Sequence, residues 1–109
     1  MVSATKRQHK ASDVRAAALP LLATNTGSDE MQVPTAISSL PLFAQNTNVI
    51  YTWSVSDAAG NRGMAFVTGS GFGHWGIVVC PFEGGERAAK TLRGTVTPWE
   101  DEVYFWFER

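Results

Sequence analysis

The spacing of apolar side chains changes once along this chain, near Asn48. Before it, apolar residues recur three and four apart. Val14, Ala17, Ala18, Leu21 and Leu22 follow Ser12 and Asp13, either of which can cap a helix through a side-chain oxygen. Pro20 has no amide hydrogen, so this helix is short or kinked. Thr24 to Glu30 is a turn cluster. A second helix opens at Pro34, with Thr35, Ala36, Ile37, Leu40, Phe43 and Ala44 on one side, and Pro41 shortens it. Helices this short are marginal alone and must lean on a sheet.

After Asn48 the period is two. Val49, Tyr51, Trp53 and Val55 share one face of a first strand, and Ile50, Thr52, Ser54 and Ser56 the other. Asp57 to Gly63 is a hairpin loop, with Gly60 and Asn61 suited to positive φ. Met64 to Thr68 returns as the second strand and Gly69-Ser70-Gly71-Phe72-Gly73 breaks the chain. His74 to Cys80, Leu92 to Thr97 and Val103 to Phe107 are the third, fourth and fifth strands. Between the third and fourth, Gly84-Gly85 precedes Glu86 to Lys90, enough for one helical turn.

The expected fold class is therefore α+β: two short N-terminal helices packed on one face of a curved, mainly antiparallel five-stranded sheet, with the strands in meander order. Residues 1–11 read as a basic polar tail and 12–109 as a single domain.

The last strand, Val103-Tyr104-Phe105-Trp106-Phe107, is apolar on both faces. A one-sided sheet alternates apolar-in and polar-out, so such a strand needs a second covering layer, a ligand or another chain. Trp53, Phe66, Trp75 and Phe105 are expected to face the helices. Tyr104 and Trp106 then face away, beside Val78, Cys80, Ala65 and Val67, provided no β-bulge shifts the parity.

Composition changes this picture little. The 109 residues include four Trp, six Phe and two Tyr, which belong in cores or binding surfaces. Net charge is −1, so there is no global field for nucleic acid or anionic membrane. The first fifteen residues hold four basic groups against Asp13, a net +3. The remainder holds five basic and nine acidic groups, a net −4. The lone Cys80 excludes an intrachain disulfide and suits a reducing compartment. No run is long enough for a membrane span, and Asp13, Arg15 and Pro20 argue against reading Ala16 to Ala23 as a leader.

Candidate chemistry is sparse. The glycine run is G-x-G-x-G before a strand, not the G-x-G-x-x-G that opens a helix, and reads as a hairpin connection. His74 and Cys80 share a strand six residues apart, roughly 20 Å at about 3.3 Å per residue, too far for a thiol–imidazole pair. Cys80, just before Pro81, reads as a small buried hydrophobe. Glu100-Asp101-Glu102 reads as an exposed turn, and no cluster has the spacing of a metal shell. No cofactor or metal is implied.

The resulting expectation is a small soluble cytoplasmic binding or interaction protein that works as a homodimer, not a membrane protein. Either two copies pack sheet on sheet around Tyr104 and Trp106, or the sheet curls around a pocket for a small apolar ligand. Tyr104, Trp106, Val78 and His74 would line that pocket, with Phe72 in the glycine loop at its mouth. The alternatives are a cofactor-free enzyme using His74 or a carboxylate as general base, and a nucleic-acid adaptor using the basic N-terminal tail.

Overall fold

A computed structural model describes residues 2–24, 33–44, 50–70 and 73–108. The fold is α+β, with N-terminal helices packed on a five-stranded antiparallel sheet. Helix α1 (Val2–Gln8) precedes α2 (Ala11–Thr24), α3 (Thr35–Ser38) and α4 (Pro41–Ala44). The sheet comprises β1 (Tyr51–Ser56), β2 (Arg62–Ser70), β3 (Gly73–Val79), β4 (Thr95–Pro98) and β5 (Val103–Glu108), with helix α5 (Gly85–Ala89) between β3 and β4.

Pro20 lies inside α2, and Pro41 divides the second expected helix into α3 and α4. A proline can begin a helix but cannot continue one without losing a hydrogen bond. α1 was not expected, since its residues read as a frayed polar tail. Seven residues do not hold a helix by themselves; here the helix packs on α4 and buries Thr5. The Lys6 ammonium lies 5.7 Å from the centroid of the Phe105 ring.

The strand order is β1-β2-β3-β5-β4, every neighbouring pair antiparallel. This corrects the meander order, because β5 inserts between β3 and β4. β3 and β4, both antiparallel to β5, therefore run parallel to each other. Parallel strands cannot be joined by a hairpin; their link must cross a face of the sheet. Residues 80–94 make that crossing and carry α5 with them.

The two faces follow from the register. Met64, Phe66, Ile77, Val79, Val103 and Phe105 pack with Val14, Ala18, Ile37, Leu40, Leu42 and Phe43 of the N-terminal helices. The Trp75 indole N–H anchors this layer by donating to the Leu42 carbonyl at 2.7 Å. On the opposite face, Val55, Ala65, Val67, Val78, Cys80, Tyr104 and Trp106 pack with Ala88 and Ala89 of α5, flanked by Phe82, Leu92 and Val96.

Two hairpin turns set the strand ends. Asp57 accepts the Gly60 amide at 3.2 Å and donates its own to Asn61 at 3.1 Å, and Gly60 has φ +88°. That is a three-residue loop with a glycine bulge. Asn61 does not take the expected positive φ; its side chain donates to the Asp57 carboxylate at 3.0 Å instead. At the β4–β5 turn the Val103 amide donates to Glu100 at 2.9 Å, with Asp101 and Glu102 at φ +51° and +65°. β2 runs on through Gly69 and Ser70, and Gly73 already belongs to β3, so the expected glycine loop is shorter. Val49, Gly71 and Phe72 lie outside the described residues.

Candidate functional site

The chain itself covers the second sheet face. Tyr104 is 8% exposed and Trp106 1%, and Val78 is wholly buried beside them. The crossover supplies the lid: Ala88 and Ala89 are short enough to bring the α5 backbone close to the aromatic row. Gly76 lies between Val67 and Trp106 in the ladder, where a side chain would collide with the Phe66 carbonyl. The Trp106 indole N–H donates to the Arg93 carbonyl at 2.7 Å, tying strand to crossover. Burial pushes the Tyr104 phenol above its ordinary 10.0 and the Cys80 thiol up to about 12. The requirement for outside cover that motivated Tyr104, Trp106 and Val78 as contact residues is thus met from within.

Apolar surface remains where this lid ends. Trp53 was expected on the helix face, and the structure corrects that. It pairs with Ala65 of the second face, and its ring meets the edge of Trp106, centroids 5.6 Å apart at 74°. α5, rather than an N-terminal helix, packs on β1 here, and it reaches Val55 but stops short of the strand's far end. Tyr51 is left 60% exposed and Trp53 39%. Neither was singled out as a contact residue from sequence. The signal available was Tyr-Thr-Trp-Ser-Val-Ser itself, an uncharged strand with an aromatic row and a hydroxyl row.

His74 lies elsewhere. It is the second residue of β3, opposite Glu108 at the end of β5, with 3.8 Å between Nδ1 and Oε1. Gly73, Trp75, Gly94, Thr95 and Phe107 complete the described lining of an open cleft of about 660 Å³. The imidazole is more than half exposed, and its distance to the carboxylate exceeds a hydrogen bond. This imidazole–carboxylate pair stands in water, and the structure does not bring His74 together with Tyr104 or Trp106 in this cleft. Phe72 falls outside the described residues.

The contacts of the acidic turn are structural. Glu102 accepts from Arg15 of α2 at 3.2 Å, so the turn is fastened to the helix layer. The Asp57 carboxylate is held below its ordinary 3.8, first by the Asn61 side chain, against the opposing effect of desolvation, and further by backbone amides of Asn61, Ala59 and Gly60. Among the described residues, no three His, Cys, Asp or Glu side chains are grouped to hold a metal ion. No described helix is long and apolar enough to cross a membrane.

Comparison with known protein families, with characterised proteins and with solved structures gives no match to this chain. What fold and surface define is a small, compact α+β domain with an aromatic pair exposed at one margin of its sheet.

Proposed function

We propose that this chain is a soluble interaction protein that works as a homodimer, using apolar sheet surface centred on Tyr51 and Trp53. The carrying observation is that these two large aromatics stay wet while the rest of their face is sealed. Aromatic side chains with polar tips are the residues enriched at protein contacts, and the surface Tyr51 and Trp53 leave in water forgoes roughly 1 kcal/mol each of burial. The second face thus retains the role expected of it, with the contact displaced from Tyr104 and Trp106 to the margin that α5 does not reach.

Sedimentation equilibrium over a hundredfold range of protein concentration tests this. A dimer mass in the wild type and a folded monomer for Trp53→Glu are expected. A wild type that stays monomeric throughout would overturn the proposal. Trp53 also packs on the buried Trp106 by a ring edge, so far-UV circular dichroism of the variant checks that it stays folded.

A further inference from the structure

The sheet has two edges, and they are built differently. At one, β4 has four residues and ends in Pro98, which has no amide hydrogen to offer. Short length and proline are two ways in which proteins protect an edge from pairing with another chain. At the other edge, β1 has six residues, Tyr51-Thr52-Trp53-Ser54-Val55-Ser56, with no proline, no glycine and no charge. Among the described residues, only β2 pairs with it.

The register shows which backbone groups this edge presents. Asp57 is hydrogen-bonded to Asn61 across the hairpin. Bonded and non-bonded pairs alternate along an antiparallel ladder, so Val55, Trp53 and Tyr51 direct their N–H and C=O groups to Gly63, Ala65 and Val67 of β2. Thr52, Ser54 and Ser56 direct theirs away from the sheet.

From this we infer that β1 pairs antiparallel with β1 of a second copy about a two-fold axis at Ser54, joining two sheets into one of ten strands. The inference rests on the homodimer reading and specifies its interface. In this register Ser54 faces its own copy and Thr52 faces the partner's Ser56. The three outward residues of each copy then form six main-chain hydrogen bonds. On one face hydroxyl meets hydroxyl, and on the other Trp53 meets the partner's Val55. Hydroxyl pairs and aromatic–β-branched pairs are among the favourable cross-strand combinations. Since residues 51–56 carry no charge, self-pairing places no like charges opposite each other within the strand. The guarded β4 edge stops further addition, so the assembly closes at two copies.

Hydrogen exchange followed residue by residue, together with sedimentation, tests the interface. At concentrations where the protein sediments as a dimer, the amides of Thr52, Ser54 and Ser56 should exchange at least tenfold more slowly than in the dilute monomer. Those of Tyr51, Trp53 and Val55, already bonded to β2, should change much less. Ser54→Pro deletes the two central donors and should weaken dimerisation roughly 100-fold or more. Ser54→Lys, which keeps the backbone donor and sets two ammonium groups face to face, should also weaken it and serves if the proline variant does not fold. A dimer whose Thr52, Ser54 and Ser56 amides still exchange freely would overturn the edge interface while leaving the homodimer standing. A wild type that is monomeric throughout would overturn both.

Discussion

Replacing Trp106 by Phe asks whether the crossover really seals the second face. Trp106 sits in the interior, 1% exposed, between Gly76 and Val96 of the neighbouring strands. The substitution keeps an aromatic ring but removes the indole N–H, whose 2.7 Å bond to Arg93 is worth about 1 kcal/mol. It also removes or displaces the edge contact with Trp53 at 5.6 Å, about 0.5–1.5 kcal/mol. The void left by the smaller ring adds on the order of 1 kcal/mol. The expected loss is therefore about 2–4 kcal/mol, a large share of the roughly 5–15 kcal/mol that stabilises a typical domain.

Urea denaturation followed by far-UV circular dichroism measures this without depending on the deleted fluorophore. It should be run at a concentration where sedimentation shows monomers, so that self-association does not contribute. An unchanged slope with a lower midpoint is expected. A double-mutant cycle with Trp53→Ala should return a coupling of about 0.5–1.5 kcal/mol for the edge contact. If Trp106→Phe leaves the monomer within about 0.5 kcal/mol of wild type, as surface substitutions do, then α5 does not cover this face and the account of the fold fails.

Three further outcomes follow from single sites. The Cys80 thiol, buried and pushed up to about 12, should resist alkylation at neutral pH until the protein unfolds, and its contribution to stability should be full below 9.0 and decline as pH rises from there towards 12; labelling rates with and without urea, and midpoints across alkaline pH, check both. Asp57, held below 3.8 by Asn61 and nearby amides, contributes stability present above that value and lost as pH falls through its folded pKa, so Asp57→Asn should flatten the acid limb of a midpoint-against-pH curve between pH 5 and 2 in the same denaturation assay. Asp101, a non-glycine residue at φ +51° in an exposed turn, should give about 0.5–1 kcal/mol of added stability when changed to Gly, and a lower urea midpoint for Asp101→Gly would contradict the turn geometry.

Local pattern made most of the strands legible. Alternation placed β2, β3 and β5 to within a few residues, and Pro41 marked where the second helical segment divides, whereas α2 runs on past Pro20. Pairing is not written in alternation, however. β4 and β5 join by a four-residue turn whichever strand lies beyond, so nothing local reveals that β5 lies against β3. The meander assumption hid the crossover, and with it the cover over Tyr104 and Trp106. The same omission misassigned Trp53. With one helical layer in view, the apolar side of β1 had to face it, whereas α5 offers a second apolar layer on the other side. α1 escaped notice because polar residues dominate its sequence, while a single buried threonine marks its docking.

Burial of Trp106 and exposure of Trp53 therefore have one cause. To join parallel β3 and β4 across the intervening β5, residues 80–94 must pass over the second face, where their short helix touches β1, β2, β3 and β4. β1 stands three strands from β5, and α5 covers Val55 at one end of it while Tyr51 and Trp53 towards the other stay exposed. A hairpin link between β3 and β4 would have bared Tyr104 and Trp106 as well. The crossover as built leaves Tyr51 and Trp53 exposed beside the β1 edge, so side-chain burial and main-chain hydrogen bonding across that edge would be satisfied by the same partner.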